Sequence, residues 1–294
     1  TGDNPILDWR FVNQLIAHFP SPGLSYCSTH SNTGLDFAGL FRVTGSMRAA
    51  TFLPSQAPLS PLLLRSPDDV RHIWDGLPRR AMVVDLLNLD SRYAGLISPR
   101  NDTVTRLTRY ATTVSLSVDG RFDEYWANRP RSLRNDVRRY ERRLVKEFSE
   151  VRFRCTKRRA EIRPGVERYS GLELRGWKGR AGTAVSANNR QLGFYTDLLE
   201  EFAATGGARI FELYADDHLI ASRLALLQGR HLVMLKTGYD ESYSKYAPGR
   251  VLLYWLLKEL FASVRNLEVE FYTKADSELK KWATAERPIY HLTL

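Results

Sequence analysis

Cysteine, histidine and methionine are all scarce in this 294-residue chain, which has two, six and three of them. Cys27 and Cys155 are too few and too far apart for a disulfide framework, and neither they nor the scattered histidines have the spacing of a metal site. His18, His30 and His72 therefore read as structural or surface residues. Long apolar runs are missing too. VLLYWLL at 251–257 is the longest convincing one, well short of the roughly 20 residues of a membrane-spanning helix. There is no G-x-x-x-x-G-K-[ST] loop and no nucleophile elbow, which excludes P-loop phosphate chemistry and elbow-type serine hydrolysis. The opening TGDNP carries no basic-then-apolar leader, so the expectation is a protein of a reducing cytoplasm, without metal.

What is present is an ordinary globular composition, 43% hydrophobic and 26% charged, long enough for two modest domains. The net charge is +10, and residues 129–168 hold 15 Lys/Arg against 6 Asp/Glu, or +9. That region could dock a polyanion such as nucleic acid, an acidic carrier protein or a nucleotide cofactor, or it could be a solvated helix face.

Residues 1–110 read as a weakly patterned α/β unit, with a helix near 7–19, strands at 35–43 and 81–89, a Pro/Ser-rich loop at 54–67 and a short helix at 68–74. Further on, 112–118 alternates like a strand and 122–148 reads as one long helix. Its apolar stripe is Leu133, Val137, Tyr140, Leu144 and Phe148, with arginine on most other faces. Strands follow at 151–155 and 160–162, then helices at 166–177 and 190–203. From 208 the period becomes two, which gives strands at 208–214, 218–227 and 231–238. A helix at 250–262, a strand at 267–272, a helix at 278–285 and a strand at 289–294 complete the chain.

Two stretches carry chemistry. The first, 234–261, runs from a strand through a polar Tyr/Ser/Lys segment to Pro248-Gly249 and an apolar helix, whose first turn offers unpaired N–H groups to an anion. The second is GWKGRAGT at 176–183. Glu173 lies one helical turn before Trp177, so a carboxylate and an indole can share a cavity beside Lys178, unless Trp177 is a core anchor and Glu173 a capping or surface charge.

The order meander, glycine turn, apolar helix, strand, helix, strand resembles the GNAT acyltransferase core. Residues 111–294 resemble its FemAB-like branch, especially the CelD/BcsL group tied to exopolysaccharide and cellulose gene clusters. The matching segments are TTVSLSVD with RSLRNDVRRYERRL, LELRGWKGRAGTAV, LKTGYDESYSKYAPGRVLL and LKKW. The resemblance implies an α/β (α+β) protein of tandem GNAT-like folds, with mixed, mostly antiparallel sheets flanked by helices. The divergent copy would be 1–110 and the catalytic one 111–294, including the basic helix 122–148. The family's pyrophosphate loop has two glycines where this chain reads Lys245-Tyr246-Ala247-Pro248-Gly249-Arg250.

The implied reaction moves an acyl group, acetyl above all, from a CoA thioester to an amine without a covalent enzyme intermediate. Glu173 and Asp240 are the candidate bases, and Tyr243, Tyr246 or Tyr272 could protonate the departing thiolate. Backbone N–H groups near Lys236, Thr237 and Gly238 could serve the carbonyl. Lys236 either positions an anionic substrate group or pairs with Asp240. The donor would lie along Thr237, Gly238 and 245–251, ending at Val251. Trp177, Lys178, Gly179 and Trp282 would line the acceptor site. Three alternatives stay open: aminoacyl transfer from tRNA bound at the basic helix, acylation from an acyl carrier protein, and a non-catalytic binding module.

Overall fold

The structure is a computed structural model that describes residues 9–18, 24–31, 34–44, 48–51, 59, 63–64, 82–94 and 106–294. The helix expected at 68–74 lies outside them. The chain packs as two compact units. One comprises 1–18, 115–271 and 281–284, and the other 19–114, 272–280 and 285–294.

In the larger unit, helix α1 (Trp9–His18) precedes the end of β6 (Arg106–Val118), α3 (Phe122–Ala127), α4 (Arg131–Glu147) and β7 (Val151–Thr156). Then come α5 (Arg159–Arg175), α6 (Trp177–Arg180), α7 (Gln191–Ala203) and the antiparallel strands β8 (Ala208–Ala215), β9 (His218–Gln228) and β10 (His231–Tyr239). A 3-10 helix (Glu241–Tyr246), α8 (Pro248–Ser263) and β11 (Leu267–Glu270) follow. The strand order is β6-β11-β10-β9-β8-β7, parallel only at β10-β11. Helices α5, α7 and α8 pack on β8 to β10. The apolar positions of 251–261 explain the broad buried face of α8, from Val251, Leu252 and Leu253 to Leu260 and Phe261, with Lys258 and Glu259 left exposed.

The other unit contains β1 (Leu24–Ser31), β2 (Gly34–Thr44), β3 (Arg48–Thr51), β4 (Leu63–Leu64), β5 (Val83–Asp90), α2 (Ser91–Ala94), α9 (Ser277–Lys280) and β12 (Ala285–Thr293). Its ladder repeats that of the larger unit. Strands β1-β2-β3 form an antiparallel meander, β3 is parallel to β5, and β5 is antiparallel to β12. In the larger unit β8-β9-β10, β10 with β11 and β11 with β6 have the same senses. Arg287 is paired to Asp90 through two nitrogens at 3.0 and 2.9 Å within this second sheet.

Three expectations need correction. The single helix at 122–148 is two helices, because Pro130 holds an extended backbone (φ −53°, ψ 137°) at the N-cap of α4. The strand expected at 160–162 is the first part of α5, which accommodates Pro164 because Ile162, Val166, Tyr169 and Glu173 repeat on one buried face. The helix at 278–285 is only the turn α9, since Ala285 already belongs to β12. No helix among the described residues is long and apolar enough to cross a membrane.

Candidate active site

Strand β10 loses its neighbour part-way along. Residues His231–Val233 pair with Glu268–Glu270 of β11, whereas β9 stays paired with β10 as far as Tyr239, across a bulge between Met234 and Lys236. Helix α5 lies over the segment that β11 has left. A Cβ on Gly238 would come within 3.2 Å of the Glu173 side chain and 3.4 Å of the Tyr169 ring, so glycine lets the helix sit down on the strand.

Glu173 is the hub of this contact and only 3% exposed. Its Oε1 accepts from the Tyr169 hydroxyl at 2.5 Å and from Lys178 Nζ, and its Oε2 accepts from the Val185 N–H at 2.9 Å. Lys178 Nζ also donates to the Thr237 carbonyl of β10 at 3.3 Å. Burial, and then the Glu173 charge, push the Tyr169 hydroxyl well above its ordinary value, so it stays a donor. The 176–185 loop folds to make this possible. Gly176 ends α5 in an extended conformation, and the Thr183 and Ala184 N–H groups close back on the Lys178 carbonyl. On the other side Glu241 accepts from the Trp177 N–H at 2.6 Å and from Arg180 at 2.9 Å, which holds its carboxyl below the usual range.

Two further cations belong to this part of the sheet, on opposite faces of it, since Lys236 is opposite Leu224 and Arg223 opposite Thr237. Lys236 is half-buried, its Nζ 5.7 Å from the centroid of the Tyr195 ring, and burial lowers its pKa. Arg223 of β9 is in register with Thr237, 9% exposed, and has a buried Nε without an acceptor among the described residues. Burial pulls it down to about 10.

The polar segment after β10 is built differently from the sequence expectation for Asp240. Its Oδ1 caps the 3-10 helix by accepting from the Ser242 N–H at 3.0 Å and hydroxyl at 2.6 Å, and its Oδ2 lies 3.6 Å from Arg175 rather than against Lys236. Tyr243 and Tyr246 pack on Phe148, Tyr246 being buried and Tyr243 half-buried. Lys245 is paired with Glu147 at 2.8 Å, and its carbonyl accepts from Arg143 of α4 at 3.0 Å. Ala247 caps α8 in the left-handed region (φ 44°, ψ 55°). Its N–H is used by Ser244, its carbonyl takes the Arg250 and Val251 N–H groups, and Pro248 has no N–H. Those bonds leave the Gly249 N–H at the helix start. Val251 is buried, and Arg250 lies 3.8 Å from Asp136.

Of the expected site residues, the structure therefore gathers Glu173, Lys178, Lys236, Thr237 and Gly238 in one cluster, and 245–251 in a second, contiguous one. Gly179 shapes the loop, and Trp177 is 57% exposed rather than a core anchor. Two residues are spent elsewhere. Trp282 is buried beside Trp126, with its carbonyl taken by the Tyr125 hydroxyl at 2.7 Å. Tyr272 belongs to the other unit, and its buried hydroxyl donates to the Leu59 carbonyl at 3.2 Å. Sequence reasoning missed Tyr169, Val185 and Arg223. Arg223 had a signal, being the only charge in the apolar run IASRLALL. Among the described residues no group of His, Cys, Asp and Glu could hold a metal ion.

Solved structures share this architecture along nearly the whole chain. The C-terminal domain of a candidate lysylphosphatidylglycerol synthetase from Agrobacterium fabrum matches with a TM-score of 0.64 at 9% identity, covering 99% of this chain and 88% of that one. FemX matches at 0.60 and 9%, with 97% and 90% covered. L-PGS from Bacillus licheniformis matches at 0.59 and 12%, with 99% and 92% covered. At such identities the likeness is one of fold. No curated protein matches the chain in sequence. The model of the acetyltransferase (GNAT) domain family matches residues 131–281, just over half the chain, and takes in α5, the meander, the 3-10 helix and α8. With a parallel pair parting at β10 and a helix starting just beyond it, the chain belongs to the GNAT acetyltransferase family and is an acyltransferase.

Proposed function

We propose that the protein transfers an acyl group from a CoA thioester to an amine by direct attack. The observation that carries this reading is the succession, within one stretch, of the β10 segment released by β11, the buried Glu173 over Gly238, and the helix start at Pro248-Gly249. In the reaction the amine nitrogen bonds to the thioester carbonyl carbon, the C–S bond breaks, the amine loses a proton and the thiolate gains one.

Glu173 is the better of the two bases, because Asp240 is used as a cap while Glu173 Oε2 takes a single N–H and keeps a lone pair. Tyr243 is the remaining candidate for protonating the thiolate, since Tyr272 donates elsewhere and Tyr246 is buried against Phe148. N–H groups of 236–238 would polarise the carbonyl. The donor phosphates would meet the Gly249 N–H, with Lys245 and Arg250 beside it. Trp177, Lys178 and Gly179 border the acceptor side. Residues 1–110 and 111–294 would be two copies of one fold whose packing units trade α1 and β12. A cytoplasmic enzyme of an exopolysaccharide or cellulose gene cluster is the setting that the CelD/BcsL resemblance suggests.

The test is amine-dependent release of free thiol from acetyl-CoA. This reading expects release in the wild type and at least a tenfold loss in Glu173→Gln; no release with any acyl-CoA removes the reading. Aminoacyl transfer from tRNA is the second reading. It is favoured by the exposed Arg138 and Arg142 on α4 and by the Arg143 contact with the Lys245 carbonyl. Salt-sensitive retention of tRNA, without any response to CoA, would select it.

A further inference from the structure

Lys178 sits where an amine acceptor would have to be. Its Nζ donates to Glu173 Oε1, on the carboxylate that the acylation reading makes the base, and to the Thr237 carbonyl at 3.3 Å. Thr237 lies in the part of β10 beyond the pairing with β11, where the thioester carbonyl would be held. The loop fixes this arrangement, because the Thr183 and Ala184 N–H groups close on the Lys178 carbonyl and Gly179 lies against the Leu174 carbonyl. The Lys178 side chain is 26% exposed and that of Glu173 1%, so of the two it is the amine that a donor can reach. Other lysines have a different setting. Lys245 pairs with Glu147 at 2.8 Å and Lys280 with Glu286 at 2.7 Å, but those carboxylates are 47% and 50% exposed, as in ordinary surface pairs. Glu173 is buried and takes a tyrosine hydroxyl and a backbone N–H besides the lysine.

We propose that Lys178 is itself an acyl acceptor, and that the protein acylates its own loop at this ε-amine. This rests on the amine-acylation reading and adds a modification site to it. Nζ starts as an ammonium and passes one proton to Glu173 Oε1, along the bond it already makes. Its lone pair then bonds to the thioester carbonyl carbon, the C–S bond breaks, and a second proton goes from the nitrogen to the thiolate. The products are an acyl-lysine amide and a free thiol, and the proton on Glu173 returns to water. The amide is far less reactive than the thioester, so the mark persists. It removes the charge of Lys178 and with it the ion pair to Glu173.

The experiment incubates the whole chain with acetyl-CoA and no added amine, and follows each lysine by peptide mass spectrometry. Lys178 should gain an acetyl group roughly tenfold or more faster than Lys245 and Lys280, with a marked fraction that does not depend on protein concentration. In Glu173→Gln the Lys178 rate should fall to that of Lys245 and Lys280. If that variant does not fold, wild type unfolded in urea decides, since the preference for Lys178 must vanish there. Equal rates at the three lysines in the native protein, or an unchanged Lys178 rate in folded Glu173→Gln, would overturn the proposal. So would a preference that survives in urea, or marking that speeds up with protein concentration, which would place it between molecules. Thiol release when glycinamide or ethanolamine is added, while Lys178 stays unmarked, removes this proposal alone. No release with any acyl-CoA, with or without amines, removes the acylation reading as well.

Discussion

Gly179 lies against the Leu174 carbonyl so closely that a Cβ at 179 would collide with it. The loop that carries Lys178 can therefore turn back under α5 only with glycine there. Gly179→Ala must push the loop away, and with it the Lys178 contact to Glu173 and Thr237. The expected cost is about 1–3 kcal/mol in urea unfolding, with turnover falling at least tenfold. Wild-type values in both would show that the loop does not hold the site.

Glu173→Gln tests the hub itself. The substitution keeps the volume but leaves Lys178 without its counter-charge and turns one acceptor into a donor. We expect a loss of about 1–3 kcal/mol together with the loss of turnover. If the stability falls while kcat is unchanged, Glu173 positions the loop and takes no proton.

Ala247 adopts a left-handed conformation that costs an alanine about 1–2 kcal/mol. Ala247→Gly removes that strain and adds some unfolded-state entropy, so a net gain of roughly 0.5–1 kcal/mol is expected. A lower urea midpoint would contradict the backbone geometry at the start of α8.

Lys236 predicts a pH dependence. Burial holds its pKa below 10.5, with Glu173 opposing and Lys178 adding to the shift. Between the lowered value and 10.5 the unfolded chain binds more protons than the native one, so wild-type stability rises with pH through that window. Below it the penalty is present in full. Lys236→Met should thus be more stable than wild type at pH 7, with an advantage that shrinks towards pH 10. Urea midpoints across that range check it, and a difference that grows with pH would contradict it.

The meander and α8 were legible because their signals are local: period two broken by Asp216-Asp217 and Gln228-Gly229-Arg230, then Pro248-Gly249 before an apolar run. The two helices in 122–148 were not, because a continuous stripe spoke louder than one proline. Glu173 could be named from its position before Trp177. Lys178 could be placed beside it, but Val185 could not, since it arrives by a loop whose path depends on Gly176 and Gly179. Tyr272 and Trp282 had the right chemistry at the right place in the order of elements, but each is buried with a polar group already bonded. Arg223 shows the converse. A charge inside an apolar strand was visible, and only the fold shows that its buried Nε finds no acceptor among the described residues.

The most direct test of the central claim is equilibrium binding of CoA to wild type and to Gly249→Asp. A Cβ at 249 meets only the Tyr239 ring, at 3.9 Å, so the substitution can be made without a clash while placing a carboxylate where the donor phosphates would lie. The account predicts saturable CoA binding by the wild type and none detectable for Gly249→Asp, with both proteins folded. Equal binding by the two, or none by the wild type, would contradict it.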